Sequence, residues 1–114
     1  MAVPDKRYTF DRARPSTPFE HLEHDHADHG AASCWSHYLE FATLAGTSKP
    51  LPQDQAQALA QKLLSERYSI HFHVWTFEEF RAFLDQVTAR YLPRLSVSHC
   101  IANGDEGIFI LEQR

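Results

Sequence analysis

The C-terminal end of the chain constrains the fold most, because it carries two adjacent β-strand patterns. Between residues 95 and 101, apolar residues and one histidine alternate with serine and cysteine, as in a half-buried strand. The uninterrupted apolar run 108–111 predicts a strand that is covered on both faces, and the glycine-containing segment 103–107 predicts a hairpin turn between the two. A two-stranded hairpin alone is only marginally stable. We therefore expect helices, and either a further strand or a neighbouring chain, to complete it.

Capping sequences mark the starts of two of the predicted helices. Thr76 and Glu79 have the spacing of a capping box, in which each side chain bonds the backbone amide of the other residue. Thr17 and Glu20 have the same spacing, and Pro18 suits the first helical position between them. We expect a helix to begin at each of these places.

Apolar residues at helical spacing complete an α+β prediction with four helices. The clearest case is the segment after Pro52, where apolar residues repeat at i, i+3, i+4, i+7 and i+8 among mostly polar ones. A chain of 114 residues is long enough for one core and too short for two ordinary domains, so residues 1–114 are predicted to form a single domain. The predicted helices span 18–29, 33–45, 52–67 and 76–91, the antiparallel hairpin spans 95–102 and 107–113, and residues 1–4 can add a third strand.

Composition and charge exclude several classes of protein. Hydrophobic residues make up 43% and charged residues 23% of the chain, which is typical of a globular protein. The formal net charge is −4 and lysine and arginine do not cluster, so no nucleic-acid partner is expected. No apolar run approaches the roughly 20 residues that cross a bilayer, and the N-terminus lacks a signal-peptide core. The sequence therefore predicts a cytoplasmic protein without a membrane partner.

The eight histidines are the unusual feature of the composition, and their placement raises the question of a metal site. Four of them lie between residues 21 and 29, whereas His71 and His73 are one residue apart in an apolar segment. On an extended segment both would point to the same side and could share a metal ion. His37, or one of His21, His24, His26 and His29, could be the third ligand. Three nitrogen ligands with an open position are typical of catalytic zinc. Asp25 or Asp28 could add a carboxylate.

Two other interpretations of these histidines stay open at this point. Two alternating histidines are a weak motif, and no HExxH or cysteine-bearing pattern accompanies them. They could instead be hydrogen-bonded core side chains, or they could line a pocket in which a histidine acts as a general base. The cluster at 21–29 is also what a solvated polar helix would show.

Several segments together resemble the C-terminal part of a bacterial group of class I, Rossmann-like S-adenosylmethionine-dependent methyltransferases. These segments are VPDKRYTFDRARPSTPFEHL, SHYLEFATLAG, SIHFHVWTFEEF and the closing NGDEGIFILEQR, so that the resemblance covers almost the whole chain. It implies that the first residues end the fifth strand of a sheet and that the hairpin forms strands six and seven. It also implies an acceptor pocket for a small molecule. The candidates for lining that pocket are Asp5, Arg7, His21, His37, His71 and His73, and no catalytic residue is assigned.

The sequence lacks the cofactor motif of that family. Class I methyltransferases hold S-adenosylmethionine at a glycine-rich turn after the first strand, and the four glycines of this chain form no GxG. We therefore expect no cofactor-binding residues here and no methyltransferase activity from this chain in isolation. The chain could be a truncated fragment, a detached domain with a new role, or one piece of a split protein that needs a complementing chain.

The alternative prediction comes from a different functional class. It is a small histidine-rich module that binds a metal ion such as zinc, or another protein, and forms a homodimer through the edge of its hairpin. An unpaired edge strand is a template for pairing with a second chain.

Overall fold

The computed structural model describes residues 1–114 and confirms the α+β class, with four helices and a three-stranded antiparallel sheet. The chain divides into two compact units, one formed by residues 1–9 with 75–114 and the other by residues 10–74. The elements are β1 (Ala2–Pro4), a short 3-10 helix (Lys6–Tyr8), α1 (Phe19–Asp28), α2 (Cys34–Leu44), α3 (Gln53–Ser65), α4 (Phe77–Arg90), β2 (Leu95–Asn103) and β3 (Glu106–Gln113). The predicted bounds lie within two residues of these at every end, and some coincide with them.

In the first unit, the N-terminal strand supplies the extra strand that the hairpin needs. The sheet has the order β1-β3-β2, and both pairings are antiparallel. One face packs on α4 around a core of Phe80, Leu84 and Phe109. Gly107 faces this core, where an added Cβ atom would lie only 2.5 Å from the ring of Phe77. The hairpin is thus held by a third strand on one edge of β3 and by an aromatic helix on one face.

The second face of β3 differs from the expectation that both faces are covered. Phe109 is buried, but its neighbour Ile110 points the other way and is 41% exposed. A short run of apolar residues does not distinguish a strand covered twice from one covered on a single face. The strand β3 is therefore central because its backbone pairs with another strand on each edge. Only alternate side chains of β3 are buried.

The helix α4 begins at the predicted capping box, and a buried carboxylate supports that start. Thr76 accepts a hydrogen bond from the Glu79 amide, and the Glu79 side chain accepts one from the Thr76 amide. Asp5 is almost fully buried and accepts from the Phe77 amide at 3.0 Å and from the Arg7 guanidinium at 2.6 Å. The side-chain bond from Arg7 holds the pKa of Asp5 below its ordinary value, despite the opposing effect of burial. Asp5 thus joins the N-terminal segment to the start of α4.

In the second unit, α2 and α3 pack against each other around small and aliphatic side chains. Its buried core comprises Tyr38, Ala42, Ala60, Leu63 and Ile70. The hydroxyl of Tyr38 donates to the carbonyl of Tyr68 at 2.8 Å. This bond fixes the beginning of residues 68–74, which we call the connector because they form neither helix nor strand and bend at Phe72 and His73.

The helix α1 of the same unit differs from the other helices because none of its residues is fully buried. It begins at Phe19 with no side-chain cap, so the predicted cap at Thr17 is wrong. The Thr17 hydroxyl accepts from the Val74 amide at 3.0 Å instead, and this contact binds the loop before α1 to the connector. At the other end, His29 and Gly30 adopt left-handed conformations that stop the helix. Apolar burial therefore contributes little to the position of α1.

The helices also bear on the membrane question raised by the sequence. None of them combines the length and the apolar character that crossing a bilayer requires.

The role of Asp5 can be tested by its pH dependence. Asp5→Asn removes a charge that accepts hydrogen bonds in a buried position, so we expect it to lower the free energy of unfolding by about 1–3 kcal/mol at pH 7. Because the pKa of Asp5 is lowered in the folded state, its stabilisation is present above its ordinary pKa and is lost as the pH falls below it. Urea unfolding should therefore show a difference between variant and wild type that shrinks below about pH 4.

Asp85→Asn is the matched control for this change. Asp85 forms an ion pair with Arg81 at 3.1 Å on the exposed face of α4. Exposed pairs of this kind contribute at most about 0.5 kcal/mol. An Asp5→Asn variant no less stable than Asp85→Asn would contradict the structural role of Asp5.

Candidate metal centre

Four side chains of the second unit converge on one point from three segments of the chain. His21 and Asp25 lie four residues apart on α1 and therefore share a helix face. His37 comes from the buried face of α2, and His73 comes from the bend of the connector. One ligating atom from each residue lies within 4.8 Å of the other three. We call these four residues the His/Asp cluster.

The Asp25 carboxylate lies at the centre of the cluster. Its Oδ2 atom is 2.7 Å from Nε2 of His73 and 3.1 Å from Nε2 of both His37 and His21. The Nε2 atoms of His21 and His37 are 3.0 Å apart. Donor atoms around a tetrahedral zinc ion, with bonds of about 2.0–2.1 Å, lie roughly 3.3–3.4 Å apart. The four separations given above are shorter than this, so the cluster would have to expand to hold a zinc ion, most of all between Asp25 and His73.

The packing of the imidazole rings allows the three nitrogens to face the same point. The ring of His37 meets the rings of His21 and His73 edge to face, with centroids 4.9 and 5.0 Å apart. The phenyl ring of Phe72 packs against His37 at 5.7 Å in the same manner. These contacts limit rotation of the rings, so the direction of each nitrogen is set before any ligand binds.

The electrostatics of the cluster favour the protonation states that bind metals. Burial by itself would raise the pKa of Asp25, but hydrogen bonds from Ser33, His73 and His37 outweigh it and hold that pKa well below its ordinary value. Burial lowers the pKa of His37, although the neighbouring Asp25 opposes the change. At neutral pH the centre therefore presents an ionised carboxylate and a neutral imidazole, which are the ligating forms of both groups.

A serine hydroxyl orients the central carboxylate. The Ser33 hydroxyl donates to Oδ1 of Asp25 at 2.5 Å, which leaves Oδ2 to the three histidines. Hydrogen bonds from such outer partners commonly fix the direction of a metal ligand.

A buried arginine holds the connector that presents His73. Arg14 is 1% exposed, and its guanidinium donates to the backbone carbonyls of His71 at 2.6 Å and Phe72 at 3.3 Å. It also donates to the carboxylates of Asp11 at 2.8 Å and Glu40 at 2.9 Å. Because Phe72 precedes His73 directly, this network fixes the backbone at the bend.

The structure places His71 away from the cluster. Its Nδ1 atom is 2.6 Å from Oδ2 of Asp11, and its ring stacks on Phe10. The expectation that His71 and His73 share one side assumed an extended segment, and the connector bends at Phe72 and His73 instead. The two side chains consequently have different carboxylate partners. Of the three residues predicted as metal ligands, the structure brings together His37 and His73.

The other predicted site residues divide between the two units. Asp5 and Arg7 belong to the first unit, where they pair with each other and where Arg7 also pairs with Glu78. His21 belongs to the His/Asp cluster; it was predicted as a pocket residue and as one of several alternatives for the third metal ligand. Asp25 was one of two carboxylates considered, and its spacing of four residues from His21 was the signal that could have singled it out.

Sequence reasoning missed the network around Arg14. Neither Asp11 nor Arg14 was assigned a role, because a charged residue in a proline-containing segment is usually exposed. No local pattern in the sequence indicates that this arginine is buried.

A cavity of about 520 Å³ adjoins the cluster within the second unit. Asp25, His37 and His73 form part of its wall, so three of the four ligating residues face it. A smaller cavity of about 230 Å³ lies beside His21 and His37. The cluster is therefore accessible to ions and small molecules.

No family model, curated protein or solved structure matches this chain. The resemblance to methyltransferases therefore stays a prediction, and the argument for a function depends on the geometry of the cluster.

The contribution of His73 to the free energy of unfolding can be compared with that of His26, which is exposed on α1. His73→Ala removes a hydrogen bond to the ionised Asp25, so we expect it to lower the free energy of unfolding by about 1.5–3 kcal/mol. His26→Ala should leave that energy nearly unchanged. Thermal unfolding followed by circular dichroism measures both, and equal melting temperatures would contradict the role given to His73.

Proposed function

We propose that residues 10–74 form a metal-binding domain that holds one zinc ion at His21, Asp25, His37 and His73. The observation that carries this proposal is the convergence of three imidazole nitrogens and one carboxylate oxygen within 4.8 Å. The converging atoms come from α1, α2 and the connector, and they are of the types that zinc binds.

The types of ligating atom support zinc over the common hard cations. Zinc binds imidazole nitrogen and carboxylate oxygen and prefers four ligands in tetrahedral geometry. Calcium and magnesium take oxygen ligands, of which the cluster supplies one carboxylate. Imidazole ligands also suit other divalent metals of the first transition series. Cobalt(II) accepts the same tetrahedral geometry as zinc and can therefore replace it as a spectroscopic probe.

The ion would hold α1 in place. Two ligands come from α1, which has no fully buried residue, whereas the other two come from α2 and the connector. Zinc bound to all four would thus cross-link a weakly packed helix to the better-packed part of the same unit. In structural zinc sites the free energy of metal binding contributes directly to folding.

Zinc titration of two matched histidine variants tests the proposal. We expect the wild type to bind one equivalent of zinc by isothermal titration calorimetry at neutral pH, and to gain about 2.7 kcal/mol of stability at a zinc concentration 100 times the Kd. His21→Ala should weaken binding more than about 100-fold, beyond the loss typical of an outer-shell change. His24→Ala, an exposed change on the same helix, should leave the affinity unchanged.

Asp25→Asn provides a second variant that nearly preserves the size of the side chain. It should weaken zinc binding at least as much as His21→Ala. Hydrogen exchange of the α1 amides should slow on zinc binding to the wild type and return to the metal-free rate when a chelator is added. The proposal fails if zinc does not raise the melting temperature, or if His24→Ala and His21→Ala weaken binding equally.

A second candidate function is the one implied by the resemblance, an acceptor-side region of a methyltransferase-like protein in the cytoplasm. It is supported by the pairing of β1 with β3, because the resemblance assigns both strands to one sheet. This candidate is compatible with a metal centre in residues 10–74.

The absence of a glycine-rich turn leads to a direct expectation for this second candidate. Isothermal titration with S-adenosylmethionine should show no binding in the micromolar range, because the four glycines form no glycine-rich turn of the kind that holds this cofactor in class I methyltransferases. Micromolar affinity for the cofactor would contradict this expectation.

A further inference from the structure

The cavity beside the His/Asp cluster has two features that together define a class of ligand. Three ligating residues of the cluster form part of its wall, so a molecule inside could reach the metal ion directly. Away from the cluster, Leu22, Cys34 and Phe72 form the apolar part of the wall, and His26, His29 and Gly30 form the rest. A volume of about 520 Å³ falls within the range of small-molecule sites. The cavity thus combines a place for a coordinating group with room for an apolar body.

The net charge of the metal-bound centre determines which ligand charge would neutralise it. A divalent ion bound to Asp25 and three neutral imidazoles carries one net positive charge. Asp25 is the only acidic residue among those that line the cavity, no lysine or arginine lines it, and the basic side chains outside the cluster are those of His26 and His29. A monoanion therefore neutralises the centre, whereas a dianion such as phosphate would leave an uncompensated negative charge in a largely apolar space.

We propose that the metal centre accepts a fifth ligand from this cavity, namely the carboxylate of a small monoanionic molecule whose apolar body packs between Leu22 and Phe72. This inference depends on the proposed metal site and adds the class of its ligand. Zinc is usually four-coordinate in proteins, but some zinc sites expand to five ligands during their reaction. Phe72 is well suited to contact the ligand, because its ring already packs on His37 at 5.7 Å and on Tyr38 at 5.7 Å.

Cobalt(II) substitution allows the metal site and the ligand site to be tested separately. The visible absorption bands of cobalt(II) are intense in a four-coordinate site and weaken when a fifth ligand binds. We expect the cobalt-loaded protein to show intense bands that weaken on titration with benzoate. Acetate, which has the same coordinating group without the ring, should bind about tenfold more weakly, because it buries less apolar surface.

Two aromatic deletions serve as variant and matched control. Phe72→Ala should abolish the preference for benzoate over acetate. Because the Phe72 ring also packs on His37, the ligand-free cobalt bands of this variant are recorded first, to measure any change at the metal site separately. Phe10→Ala removes an aromatic ring of the same unit that does not line the cavity, so the preference should persist. The conservative change Phe72→Leu should retain part of the preference for benzoate over acetate.

The outcomes distinguish failure of the metal site from failure of the ligand site. Absence of intense cobalt bands would overturn the metal centre and this inference with it. Intense bands that do not respond to benzoate would overturn the ligand inference alone. Equal affinities for benzoate and acetate, or tighter binding of inorganic phosphate than of benzoate, would also overturn it.

Discussion

The arrangement of the second unit depends on a guanidinium that is buried with its partners. Arg14 contacts two carboxylates and two backbone carbonyls, which belong to the N-terminal loop of the unit, to α2 and to the connector. Removing one partner of a buried ion pair commonly costs about 3–5 kcal/mol, because it leaves an uncompensated charge. The connector is therefore held at the residues directly before His73. The direction of His73 toward Asp25, and with it the geometry of the His/Asp cluster, follows from this constraint.

A zinc ion at the cluster would act differently on the two helices that it joins. The helix α2 already packs on α3 through Tyr38 and Ala42, so its position does not require metal. The helix α1 has no comparable apolar contact and carries two of the four ligating residues. Metal binding would therefore stabilise α1 most. Since Leu22 of α1 lines the cavity, the same event would also form one wall of the proposed carboxylate site.

The fold was largely predictable because its main features are local. Helical spacing gave four helices within one or two residues of their observed ends, and the capping box at Thr76 is confirmed. The prediction of an equivalent box at Thr17 was wrong, because the Thr17 hydroxyl accepts a hydrogen bond from the Val74 amide, 57 residues away. A capping pattern indicates which bonds a side chain can make, and tertiary contacts determine which acceptor or donor it meets.

The sequence by itself determined the α+β class, the order of the elements and the concentration of histidines in two segments. These properties follow from side-chain periodicity and composition, which a single segment displays without its neighbours. Only the tertiary structure decided which histidines meet. His71 and His73 occupy equivalent positions in the alternating sequence pattern, yet their side chains contact different carboxylates. The reason is that the connector bends between the carbonyl that accepts a hydrogen bond from Arg14 and the side chain that enters the His/Asp cluster. Metal ligation requires atoms about 3 Å apart, and that separation is set by residues distant in the chain.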